Sequence, residues 1–333
     1  MHDGPFQAFT GPAENKSTFQ PRIAADVQHA GNPLSVDAVG CCIEDKSIAP
    51  YNLRMLRNIR LVIAYDGTEY HGWQKQPGWS TVQEMVERAA RRVARHQVTI
   101  TGAGRTDAGV HAAGQVANFL TTSVMPCEKL RHAIGSRLPK DISVISADEV
   151  ALEFRATRDA LSKLYRYVIF HGAHRPVEQH RQRFVYHFWN PLDVERMNAG
   201  ARYFIGQHDF AAYASKGSPR ESTVRTVLRA EVSTCYNEIR IDVVGTGFLY
   251  HQVRNMVGTL IEVGRGHWPV ERVGEILASK DRSNAGPTAP ARGLSLQWVC
   301  YPPYLLKGAV PVQGHDAPRV VDSASSALMD TTS

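Results

Sequence analysis

Gly104-Arg105-Thr106-Asp107-Ala108-Gly109-Val110-His111-Ala112 reads as a loop between two strands. A short β-type run, Val98 to Thr101, precedes it, and a second, Gln115 to Leu120, follows. Glycines at 102, 104 and 109 permit positive φ and the close approach of a ligand. Between them stand a guanidinium, a hydroxyl and a carboxylate. Rigid flanks make such a loop a good place to present a nucleophile, here Asp107. Gly102-x-Gly104-x-x-Asp107 also resembles a truncated dinucleotide fingerprint. Asp stands where the last Gly is needed, however, and the chain resumes a β pattern where a pyrophosphate would need a helix N-terminus. A solvated Gly-rich hairpin is the other reading that composition allows.

Outward from the loop, Arg60 to Tyr65 is a β-type run closed by the turn Asp66-Gly67-Thr68, and Tyr70-His71-Gly72-Trp73-Gln74 follows. Ser80-Thr81-Val82-Gln83 has the form of a capping box, and Val82, Val86, Ala89, Ala90 and Val93 give the next helix its apolar stripe. Arg88, Arg91, Arg92 and Arg95 lie largely opposite, either as a solvated face or against phosphates. Pro126 to Leu138 reads as a helix and Ser143 to Val150 as a strand. In Ser162 to Phe170, Lys163, Tyr165 and Tyr167 share one strand face. Residues 171–182 form a basic, His-rich loop without a metal-ligand spacing, and Arg183 to Trp189 reads as a strand. A helix, Asp193 to Ile205, and a hairpin, Thr226 to Thr234 with Glu238 to Val244, come next.

Val253, Val257, Leu260, Ile261 and Gly264 then mark a helix with a wide apolar surface. Arg254 falls among those buried neighbours and needs a carboxylate or several carbonyls to satisfy it. Pro269 to Ser279 is a further helix and Leu296 to Tyr301 a last strand.

The 333 residues suffice for one large or two modest domains. With 43% hydrophobic and 21% charged residues the composition is that of an ordinary globular protein, and no apolar run approaches the length of a membrane span. The formal charge is +6; residues 1–54 hold four Lys/Arg and six Asp/Glu, so the remainder carries +6 − (−2) = +8, which makes a polyanion partner plausible. Five scattered cysteines with no C-x-x-C spacing suggest neither a zinc site nor a disulfide framework, and fit a reducing cytoplasm. Residues 1–54, with five prolines, read as a disordered extension, and Met55 as a candidate start of the functional protein; 305–333 read as a disordered tail.

Five blocks in order resemble the bacterial-type tRNA pseudouridine synthase A family: Tyr65 to Gln74, Gly104 to Ala112, Ser162 to Phe170, Gly247 to Gly258, and Gly286 to Leu296. The resemblance spans roughly 58 to 303. It implies an α+β fold of two similar α/β-sandwich (RRM-like) halves, 55–155 carrying the Asp loop and 156–304, which share a continuous, mostly antiparallel sheet with a central basic cleft. The implied enzyme is an isomerase, an intramolecular transferase that turns uridine into pseudouridine. Its implied targets are positions 38, 39 and 40 in the anticodon stem-loop of tRNA.

Asp107 is then the catalytic carboxylate, acting on a flipped-out uridine, and Arg254 its ion-pair partner, keeping it ionised. Tyr165 would stack on the target base, and Arg105 would meet a phosphate or fill the vacated space. The resemblance also implies a homodimer without cofactor or metal. Three routes suit such a carboxylate: attack on the sugar carbon, addition to the base, or removal of a sugar proton to give a glycal. Two rivals remain, a catalytically silent RNA-binding protein of this fold and an unrelated enzyme using the loop for phosphate chemistry. The second predicts dependence on a metal or nucleotide.

Overall fold

The structure is a computed structural model that describes residues 55–215 and 222–306, all within one compact unit. Residues 1–54, 216–221 and 307–333 lie outside the described residues. Ten strands form one sheet: β1 (Arg57–Tyr65), β2 (Thr101–Gly102), β3 (His111–Thr121), β4 (Ile142–Val150), β5 (Ser162–His171), β6 (Tyr186–Phe188), β7 (Gly206–Asp209), β8 (Val224–Cys235), β9 (Glu238–Gly245) and β10 (Leu294–Cys300). Their spatial order is β4-β1-β3-β10-β5-β9-β8-β7, with β2 beside β3 and β6 beside β5. All pairs are antiparallel except β3 with β10 and β5 with β6.

The helices are α1 (Val82–Ala94), α2 (Cys127–Gly135), α3 (Gln179–Phe184), α4 (Val194–Arg202), α5 (Gln252–Gly264) and α6 (Arg272–Ser279). Val82, Val86, Ala89 and Ala90 of α1 are buried, which spends the apolar stripe on the core. β1 is buried along most of its length, with Ile59, Leu61, Val62 and Ile63 in one core cluster with the α1 stripe, Phe154 and Ala156. Two polar residues there find partners: Asn58 donates from Nδ2 to Ala151 O (3.0 Å) and Phe154 O (2.9 Å), and Tyr301 donates to Ala156 O (2.7 Å).

The two halves meet where β10 inserts between β3 and β5. Ser295 pairs with His111 and Leu296 with Ala112, at the very start of β3, so the last strand joins the first half directly behind the Asp loop. Leu296 also pairs with Tyr165 across β10 and β5.

Several local expectations are overturned. The capping box is not made: Thr81 is the N-cap, without a side-chain cap bond, and its buried Oγ1 has no partner. Gln83 instead accepts from Gln74 Nε2 and Lys75 N (both 2.8 Å) and donates to Ile100 O (2.7 Å), so tertiary partners outbid the cap. The expected strand 183–189 is the end of α3 followed by the three-residue β6. Arg181 pairs with Glu238 (3.0 Å) and Arg183 with Asp66 (2.7 Å), long-range bonds that hold a polar helix with no apolar stripe. Of the run Val98 to Thr101 only Thr101 is strand. Leu305 and Leu306, placed at the edge of the tail, are buried, and Leu305 O accepts from Ala151 N at 3.2 Å.

Candidate active site

The Asp loop is pinned by its backbone. Ala103 N donates to Val116 O (2.7 Å), Trp73 N to Thr106 O (3.1 Å), and Val110 N to Asp107 O (3.1 Å), which closes a turn. Gly109 in that turn has φ +76°, a conformation that suits glycine. Gly72, at φ +80°, lets the loop lie so close that an added Cβ would stand 2.3 Å from Thr106 O. The Tyr65 and Thr106 hydroxyls are 2.8 Å apart beneath it, and Gln115 Nε2 donates to Gly104 O (2.8 Å). A loop tied at this many points presents Asp107 from a fixed position.

Arg254, 147 residues away in sequence and on the first turn of α5, places Nη1 3.2 Å from Asp107 Oδ2. The two side chains keep 14% and 18% of their exposure, so the pair is mostly buried without being sealed from solvent. Arg254 also donates from Nε to Ala289 O at 2.7 Å, while Ala289 N donates back to Arg254 O at 3.1 Å. The guanidinium therefore reaches Asp107 from a position locked by the loop of residues 285–291. The first turn of a helix is also where its dipole favours an anion.

Tyr165 lies on β5, only 7% exposed, with the Phe248 ring edge-on to it (centroids 5.3 Å apart, 90°). Burial, then the nearness of Tyr65 and Asp107, pushes its phenol above the ordinary range, so it stays neutral. Arg105 is exposed beside Asp107, and among the described residues its side chain has no hydrogen-bond or ion-pair partner. Lys163, on the same strand face as Tyr165, donates from Nζ to Ala103 O (2.7 Å) at the base of the loop. Of the arginine row on α1, Arg91 is bound to Glu87 and to Val98 O (3.1 Å), whereas Arg88, Arg92 and Arg95 are exposed.

Two histidines went unread in the sequence. His111 is buried, accepts at Nδ1 from Gly67 N (3.0 Å) and so donates from Nε2 to Arg292 O (3.1 Å), tying the opening block to the closing one. Burial holds its imidazole below the ordinary range. His251 places Nε2 3.6 Å from Asp107 Oδ2. Its partners are dispersed along the chain, and no local spacing announces them.

Among the described residues no helix is long and apolar enough to cross a membrane. A family profile described as tRNA pseudouridine synthase matches residues 61–157 and 201–302. Asp107 and Arg254 fall within those segments, Tyr165 between them. The chain is 44% identical over 246 residues to "tRNA pseudouridine synthase A 2" of Clostridium perfringens, covering 74% of this chain and 100% of that one. It is also 44% identical over 246 residues to "tRNA pseudouridine synthase A" of Acetivibrio thermocellus, and 43% identical over 247 residues to that of Pelobacter propionicus, with the same coverage. A solved chain of a Cbf5-Nop10-Gar1 complex is alike over 71% of this chain and 57% of its own, at 12% identity and a TM-score of 0.27, too weak a likeness to bear on the fold. An aspartate held across two halves by an arginine, in segments that the profile matches and that relatives share along their whole length, has one reading: the chain belongs to the tRNA pseudouridine synthase family.

Proposed function

We propose that this protein isomerises uridine to pseudouridine in the anticodon stem-loop of tRNA, at positions 38, 39 and 40, with Asp107 as the reacting carboxylate. The observation that carries the reading is the Asp107–Arg254 contact at 3.2 Å, made between the Asp loop and the first turn of α5, beside the β3–β10 pairing. The reaction breaks the N1–C1′ bond, turns the freed uracil and joins C5 to C1′. It needs an ionised, oriented carboxylate beside the sugar, and the Arg254 contact supports that orientation. Reaching the nucleotide means extruding it, at a cost of a few kcal/mol. Arg105, exposed beside the carboxylate, meets a phosphate or takes the vacated space. The enzyme works as a homodimer in the cytoplasm, so that one tRNA touches both subunits; light scattering in solution tests the dimer.

The test is release of tritium from tRNA labelled at uridine C5, followed by chemical mapping of the product. Release from transcripts bearing uridine only at the three named positions supports the reading, and binding without release refutes it. Tyr165 enters as the ring on which the target base stacks, worth about 1–3 kcal/mol. Tyr165→Leu is accordingly expected to lower kcat/KM by roughly 5- to 150-fold, read in the same assay. An undiminished rate would remove the stack from the mechanism.

A further inference from the structure

We infer that His251 is a positioning residue for Asp107: a neutral imidazole, fixed as the Nε2–H tautomer by Ser215 and Asn255, which together with Arg254 restrains Oδ2 and leaves Oδ1 to meet the nucleoside. The inference rests on Asp107 being the reacting carboxylate. It begins at Asn255, which is fully buried. Its Oδ1 accepts from Arg282 Nη2 (3.0 Å) and Thr288 Oγ1 (2.6 Å), so the amide cannot turn over without setting its NH2 against a guanidinium. Its Nδ2 must then point the other way, where it donates to Tyr213 O (2.7 Å) and reaches Ser215 Oγ (3.5 Å). Among the described residues the other partner of that oxygen is His251 Nδ1 at 3.0 Å, the one acceptor within its reach, so the Ser215 proton is directed there. An imidazole that accepts at Nδ1 carries its proton on Nε2 when neutral, and Nε2 is the atom 3.6 Å from Asp107 Oδ2.

The charged groups that face the ring are Asp107, Arg254 and Arg282, with Tyr250 stacked on it at 3.8 Å. Burial, helped by the two guanidiniums and opposed by Asp107, holds the imidazole below its ordinary range, so the neutral form prevails. Both Arg254 and His251 address Oδ2, and among the described residues no donor reaches Oδ1. A gap of 3.6 Å is longer than a hydrogen bond and closes when substrate seats the carboxylate. The backbone supports the same role. His251 has φ +61° and ψ +4° at the N-cap of α5, an uncommon conformation for a residue with a side chain, and it makes no cap bond there.

The experiment measures single-turnover tritium release and tRNA Kd with the full-length protein. His251→Leu is expected to slow release by about 10- to 100-fold with Kd within about two-fold, because misplacing a reacting group costs rate more than binding. His251→Gln, whose amide can still donate, should recover most of that loss, and Ser215→Ala should fall between. Long-range ¹H–¹⁵N spectra of the wild-type protein should show the His251 proton on Nε2, the signal being assigned by its disappearance in His251→Gln. The inference is overturned by a wild-type rate in His251→Leu, by a loss confined to Kd, by Gln faring no better than Leu, or by a proton on Nδ1. Asp107→Asn, run alongside, keeps the two levels apart. Release by that variant removes the underlying reading, whereas its silence beside a fully active His251→Leu removes only the part assigned to His251.

Discussion

Asp107→Asn is expected to lower turnover by on the order of 10⁴-fold or more, leaving tRNA affinity and thermal stability nearly as they were. The amide has the shape of the carboxylate but cannot carry its charge, and its oxygen can still accept from Arg254 Nη1. The loop itself does not lean on the ion pair. It is held by Trp73 N to Thr106 O, Ala103 N to Val116 O, the Val110 to Asp107 turn and the Tyr65–Thr106 hydroxyl contact, none of which the substitution touches. Tritium release, a filter-binding Kd and a thermal melt on the same preparation check all three parts. A variant that still turns over at a tenth of the normal rate would mean that some other group does the chemistry. A melting point lower by ten degrees would mean that the loop was misjudged.

How much of this was open to a reader of the chain alone follows from the range of each interaction. The apolar stripe of α1 and the alternation in β5 and β9 are local patterns, and the elements stand close to where those patterns put them. The stripe of α5 placed Arg254 among apolar neighbours and so demanded an acceptor. That the acceptor is Asp107, 147 residues away, came from family resemblance and not from periodicity. Helix α3 escaped because Glu238 and Asp66 hold it, both far off in sequence. Gln83 escaped for the same reason, its amide drawn to Lys75 and Ile100 instead of the cap. His251 stood inside a quoted block, yet its role depends on Ser215, 36 residues earlier, and on an amide orientation set by Arg282 and Thr288. Interactions of that kind leave no period behind them.

The glycines of α5 and of the closing block carry the other large effect, and it joins stability to chemistry. Gly258→Ala would put a Cβ 1.7 Å from Pro287 O and 2.9 Å from its carbonyl carbon. Backbone meets backbone there, and no side chain can swing aside. On the facing strand of chain, a Cβ on Gly286 would stand 2.7 Å from Gly258 C, so each glycine exists to admit the other. The loop must therefore move by more than an ångström, and it carries Ala289, whose carbonyl and amide grip Arg254. The substitution is expected to cost about 3 kcal/mol, a fall of roughly 6–12 °C in Tm. Turnover should fall by at least about ten-fold in the fraction that stays folded, as Arg254 leaves Asp107. Gly135→Ala at the end of α2, where an added Cβ meets nothing within 4 Å, is the control and should be neutral or stabilising. If Gly258→Ala instead melted with the wild type and turned over normally, then the α5 contact with residues 286–289 is not what seats Arg254. The coupling between the closing block and the carboxylate would have to be sought through the His111–Arg292 bond or the pairing of β10 with the start of β3.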